Sequence, residues 1–166
     1  MIDDETRSLA TRVLEACRAE KLTLATAESC TGGLVAGALT EIGGSSDVVD
    51  RGFVTYSNAA KMAMLGVPEA TLKAHGAVSK ETATAMARGA LERAGVGITV
   101  SITGVAGPGG GSAEKPVGLV QFAAAREGRL IAREKRYGDL GRSEIRRLAV
   151  IEALNMLLEL AAPAPN

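Results

Sequence analysis

LTLATAESCTGG, residues 22–33, decides how the rest of the chain is read. Leu22 to Ala27 is a mostly apolar run without Gly or Pro, the length of a buried strand. After Glu28, Ser29 and Cys30, the triplet Thr31-Gly32-Gly33 opens a helical pattern expected over 31–42. Within it Val35, Ala38, Leu39 and Ile42 recur at i, i+3, i+4 and i+7. A strand that turns directly into a helix leaves its turn residues at the C-terminal edge of a sheet, where open α/β sheets bind ligands. Two glycines let a ligand approach the backbone, and the free N–H groups of a helix start favour an anion. One short corner therefore offers a hydroxyl nucleophile, Ser29, beside a cradle for a phosphate or an oxyanion.

Working outward, residues 4–20 form an amphipathic pattern with Ala10, Val13, Leu14 and Cys17 on one stripe, which makes Cys17 a small core residue. A second strand is expected over 48–56, ending at Tyr56. Ser57-Asn58 can cap a short helix that carries Lys61, Met62 and Leu65 and stops at Gly66 and Pro68. A helical piece over 69–74 leads to His75-Gly76. Ser79 then caps a helix with a regular face of Ala83, Met86, Ala87, Ala90, Leu91 and Ala94. A third strand over 97–103 runs into GVAGPGGGSAEKP, which is too rich in Gly and Pro for helix or strand. Strands over 117–125 and 130–137 flank the turn signal Glu127-Gly128. A closing helix over 142–160 turns Ile145, Ala149, Ala153, Met156 and Leu160 inward, and 161–166 is a frayed tail. The expectation is one α/β domain over 1–166, with a mixed sheet between helices.

Composition narrows the function. Aromatic residues make up 2% of the 166, with no Trp, which argues against a stacking platform for single-stranded nucleic acid. Lys+Arg and Asp+Glu number 19 each, so no net field draws the chain onto nucleic acid or an anionic membrane. The start, MIDDETRSL, lacks an apolar core, and no apolar stretch approaches a membrane span. Two cysteines, Cys17 and Cys30, cannot build a disulfide framework, so a cytoplasmic protein with reduced thiols is expected. The one histidine, His75, stands without HxxH or CxxC motifs. Neither a metal site nor a Ser-His-Asp triad is expected.

A serine nucleophile here would draw on a lysine or tyrosine. Tyr56 and Lys61 follow the second strand, which, if parallel to the first, ends beside the Ser29 corner. A lysine serves as base when desolvation or a neighbouring cation lowers its pKa, and a tyrosinate beside a lysinium would do the same job. Other readings stand beside these. Ser29 or Thr31 can be a helix cap, and Cys30 can be the nucleophile. Glu28 can orient a base or hold a backbone N–H. The loop after Thr103 is either a plain turn or a source of backbone donors for an oxyanion. Arg142, Arg146 and Arg147 open the last helix, either as a solvated face or with Arg142 meeting a phosphate.

Taken together, ESCTGG (28–33), RGFVTYSN with Lys61 (51–61), HGAVS (75–79), TGVAGPGGGS with EKPVG (103–118) and the arginines at the start of the last helix resemble the CinA C-terminal family. These are the nicotinamide-nucleotide amidohydrolases, and the resemblance spans roughly residues 5–160. It implies a three-layer α/β/α sandwich with a mixed, mostly parallel sheet. It also implies hydrolysis of nicotinamide mononucleotide to nicotinate mononucleotide and ammonia without a metal or other cofactor. Ser29 matches the family's nucleophile, Tyr56 its catalytic tyrosine and Lys61 its lysine. The pyridine nucleotide is expected against Glu28, Cys30, Thr31, Gly32, Gly33 and Asn58 at the first corners, Thr103, Gly104, Val105, Ala106 and Gly107 in the loop, and Arg142. Val105 replaces a frequent Ile, and the approach to Arg142 reads GDLGR (138–142) in place of a plainer GDR. The N-terminal domain that many members carry does not match here, so a stand-alone deamidase is expected, and a homo-oligomer is compatible with the Ala-rich helical faces. The alternatives are a non-catalytic nucleotide-binding module and a regulatory partner of a separate pyrophosphatase.

Overall fold

The computed structural model describes residues 2–166; Met1 lies outside them. The chain runs α1 (Asp4–Ala19), β1 (Leu24–Glu28), α2 (Leu34–Thr40), a 3-10 turn (Ser45–Asp47), β2 (Val49–Val54), α3 (Asn58–Leu65), α4 (Glu69–His75) and α5 (Lys80–Ala94). It continues β3 (Ile98–Gly104), β4 (Leu119–Arg126), β5 (Arg129–Arg136) and α6 (Arg142–Ala161). One sheet in the order β2-β1-β3-β4-β5 lies between two helical layers. β1 pairs in parallel with β2 and β3, while β4 pairs antiparallel with both β3 and β5. Four strands thus share one direction and β4 alone reverses, which makes the sheet mixed and mostly parallel. β1 is buried along its whole length, the reason the run into Glu28 reads as mostly apolar. Among the described residues, no helix is long and apolar enough to cross a membrane.

Strand alternation sorts β3 between the layers. Ile98, Val100 and Ile102 join Leu14, Val35, Phe122, Ile145 and Leu154 in the core under α1, α2 and α6. Thr99, Ser101 and Thr103 point to the α5 side, where their hydroxyls donate to backbone carbonyls of Ala87 (2.8 Å), Ala83 (2.6 Å) and Ala77 (2.8 Å). Small residues make this approach possible: Ala83 and Ala87 pack on Ala123 and Ala125. Gly89 matters most, because a Cβ there would lie 1.9 Å from the Leu65 carbonyl oxygen of α3. The Ala-rich face of α5 is therefore a docking surface for the sheet on one side and for α3 on the other.

Register sets the site. Glu28 pairs with Val54 on one side and with Ile102 on the other. β1 and β2 so end level with Ile102 of β3, and Ser29 and Thr55-Tyr56 leave them at the edge where β3 runs on through Thr103-Gly104. Several expected boundaries move, β2 stopping at Val54 short of Tyr56 and β4 starting at Leu119 among them. α2 starts three residues late, at Leu34, because Gly32 and Gly33 take left-handed φ values of 58° and 101° that no helix continues through. α6 runs one residue further than expected, through a buried Ala161, and its last carbonyls accept from the guanidiniums of Arg126 and Arg129. The hairpin arginines thereby supply the C-terminal capping charge that α6 lacks in its own sequence.

Candidate active site

A cavity of about 280 Å³ lies at this edge of the sheet. Its walls are Ser29 and Cys30 from the first corner, Tyr56 and Lys61 from the β2–α3 junction, Ala77 and Val78 before α5, the loop from Thr103 to Gly110, and Arg142 from α6. Ser29 is held by its own N–H, which donates to the Ile102 carbonyl at 2.9 Å, so the hydroxyl sits at a fixed height above β3.

Lys61 approaches that hydroxyl from α3. Ser57 caps the helix by accepting from the Ala60 N–H, and helical side chains lean toward their N-terminus, so Lys61 reaches back under the strand end. Its Nζ donates to the Thr55 carbonyl at 2.7 Å and to Ser29 Oγ at 3.1 Å. The side chain is 1% exposed, and no carboxylate among the described residues lies within ion-pair distance of it. Burial without a counter-charge holds the Lys61 pKa below the ordinary lysine value. The arrangement is a serine hydroxyl beside an amine inclined to be neutral.

Tyr56 does something else. Its ring is 60% exposed, and its hydroxyl oxygen accepts from Arg142 Nη2 at 2.9 Å, with no hydrogen bond to Ser29 or Lys61. Arg142 Nη1 donates in turn to the Gly107 carbonyl at 2.8 Å. Tyr56 and Lys61 share the cavity, as the sequence suggests, but only the lysine touches the serine. Cys30 lines the cavity with its thiol 5% exposed and pushed up to about 11 by burial, which disfavours the thiolate a cysteine nucleophile needs. His75 lies outside the cavity, its Nδ1 3.7 Å from a Glu81 carboxylate oxygen.

The expected phosphate cradle at Thr31, Gly32 and Gly33 is filled by the protein's own anion. The fully buried Glu28 carboxylate accepts from the Val35 N–H (2.9 Å), the Ala36 N–H (3.0 Å), Thr31 Oγ1 (2.7 Å) and Thr26 Oγ1 (3.1 Å). Glu28 is thus the cap of α2, a task open to Ser29 or Thr31 from sequence, and it complements the helix dipole from within. None of Glu28, Thr31, Gly32, Gly33 or Asn58 lines the cavity. Arg146 serves the same corner, donating to the Cys30 carbonyl (3.1 Å) and the Thr31 carbonyl (3.3 Å), while Arg147 pairs with Asp3 and Glu144. Of the three arginines only Arg142 faces the cavity.

The loop after β3 behaves as a donor surface. Val105 N–H donates to the Leu119 carbonyl, but the N–H groups of Ala106 and Gly107 have no backbone or side-chain acceptor among the described residues. Gly104 is packed so closely on β4 that a Cβ would sit 2.8 to 3.0 Å from Val120 and Leu119 atoms. Ala77, Val78, Gly109, Gly110 and the Thr55 carbonyl are parts of the site that residue chemistry did not mark. Ala77 and Val78 do fall within HGAVS, whereas a backbone carbonyl gives no signal in a sequence.

The CinA C-terminal domain family profile matches residues 6–161. The chain is 53% identical over 156 residues to a "CinA-like protein" of Synechococcus sp. (strain RCC307), covering 93% of this chain and 37% of that protein. It spans about a third of the length of such longer relatives. It is 51% identical over 159 residues to "Nicotinamide-nucleotide amidohydrolase PncC" of Escherichia coli (strain K12), covering 95% of each. Among solved structures, the competence/damage inducible protein CihA from Agrobacterium tumefaciens superposes with a TM-score of 0.96 at 54% identity, over 98% of this chain and 99% of that one.

Proposed function

The chain belongs to the CinA C-terminal domain family, and from that premise we propose that it is an amidohydrolase that releases ammonia from the carboxamide of nicotinamide mononucleotide. The contact between Lys61 Nζ and Ser29 Oγ carries this reading and sets it apart from a non-catalytic nucleotide-binding module. Neutral Lys61 takes the Ser29 proton as Oγ bonds to the carboxamide carbon, and the carbonyl electrons move to oxygen. The N–H groups of Cys30, Ala106 and Gly107 stand ready for that oxyanion. Collapse of the intermediate breaks the C–N bond, and the Lys61 ammonium gives its proton to the leaving nitrogen, which departs as ammonia. Neutral Lys61 then deprotonates a water that attacks the ester carbon. Ser29 leaves with that proton, and nicotinate mononucleotide is freed.

Arg142 is the candidate for the substrate phosphate, since the α2 start is occupied by Glu28 and Arg146 is committed to the corner carbonyls. The test is ammonia release from nicotinamide mononucleotide. Ser29→Ala should abolish turnover while leaving nucleotide binding within a few-fold, and Lys61→Met should cost roughly 10³-fold or more, the scale of a lost general base and activated nucleophile. A Ser29→Ala protein that still releases ammonia removes Ser29 as the nucleophile.

A further inference from the structure

Among the described residues, every hydrogen bond that Arg142 makes is to a neutral group: the Gly107 carbonyl and the Tyr56 hydroxyl. The ion pairs in the first turns of α6 belong to Arg147 instead. Tyr56 in turn is more than half exposed, and Arg142 is the one hydrogen-bond partner its hydroxyl has among the described residues. A single neutral bond therefore fixes where the phenol points, and it holds that phenol off the Ser29–Lys61 pair, although all four side chains line one cavity.

We propose that the Arg142–Tyr56 bond is a latch opened by the substrate's phosphate. The inference rests on the amidohydrolase reading above. A phosphate dianion forms charge-assisted bonds with a guanidinium, roughly twice as strong as a bond to a neutral phenol, and the fork geometry suits it. The dianion therefore displaces Tyr56 from Nη2, while the Gly107 carbonyl keeps the guanidinium on the rim. The freed phenol turns into the cavity and hydrogen-bonds to the Ser29–Lys61 pair. Only a ligand that interacts differently with the two arrangements can shift such an equilibrium, and the phosphate meets that condition because only the open latch leaves Nη2 available. Phosphate recognition then appears in turnover as well as in affinity.

The experiment compares ammonia release from nicotinamide mononucleotide and nicotinamide riboside, with and without added phosphite dianion. In the wild type the riboside should turn over slowly and be accelerated at least about tenfold by phosphite, since the latch opens without a covalent link to the substrate. Tyr56→Phe, a change on an exposed ring that should leave the melting temperature in place, should keep the nucleotide KM within about threefold, lower kcat, and lose the response to phosphite. Arg142→Gln should raise the nucleotide KM and also lose that response. Equal kcat values for the two substrates, with the difference confined to KM and phosphite without effect, would overturn the latch and leave the amidohydrolase reading standing. So would a Tyr56→Phe protein that phosphite still accelerates. Failure of the wild type to release ammonia from either substrate overturns both.

Discussion

Lys61 is among the largest fully buried side chains of the protein, and among the described residues no carboxylate lies within ion-pair distance of it. Its lowered pKa has two consequences with definite signs. For activity, the neutral amine is the working form, so kcat/KM should rise tenfold per pH unit up to the lowered pKa and then level off. For stability, the unfolded lysine holds its proton up to the ordinary lysine value while the folded one releases it earlier. Between those two pKa values the unfolded state binds more protons, so stability rises with pH across that window and is depressed below it. Lys61→Met should therefore lack the ascending activity limb and, in urea titrations at neutral pH, unfold no earlier than the wild type. A clearly less stable Lys61→Met protein would mean that the bonds to Thr55 and Ser29 outweigh the cost of burying the charge. Sequence could mark Ser29, Tyr56 and Lys61 by chemistry and motif. It could not tell that the phenol faces Arg142, because two cavity neighbours separated widely in sequence compete for one hydroxyl only in the folded chain.

At the level of elements, two packing solutions hold the corner that carries Ser29. The first is Glu28, whose two oxygens take four donors at the start of α2. Glu28→Gln replaces one acceptor oxygen by an amide nitrogen and leaves a buried donor without a partner. It should lower the unfolding free energy by about 2 kcal/mol, read from the urea midpoint at constant slope. The second is the contact of α5 with α3 at Gly89, where an added Cβ would strike the Leu65 carbonyl. Gly89→Ala has to push α3 away, costing about 1–3 kcal/mol as overpacking. Because Lys61 rides on α3, turnover should also fall by about a hundredfold, the scale of a 1 Å misplacement of a catalytic group. A Gly89→Ala enzyme with reduced stability but full turnover would show that α3 shifts without carrying Lys61 off Ser29. Both helices were legible from periodicity and caps. From sequence Gly32 and Gly33 suggest an opening for a ligand, whereas in the fold they form the bend that lets Glu28 reach the first N–H groups of the helix.

Over the whole molecule, the sheet assembles the site by ending β1 and β2 level with Ile102 of β3, with Glu28 opposite both Val54 and Ile102. The order of apolar runs, glycine turns and helical faces was enough to give the α/β class, all six main helices, all five strands and the hairpin, since strand and helix periods are local properties of the chain. The same residues carried the family resemblance. The sequence by itself thus determined which elements form and which side chains bear reactive groups. What only the tertiary structure decided was partnership: Lys61 against Ser29, Tyr56 against Arg142, Glu28 within α2, Arg146 on the corner carbonyls. Hydrogen-bond partners distant in sequence are chosen by strand register and helix packing, and a buried donor or acceptor goes to whichever group those bring within 3 Å or so.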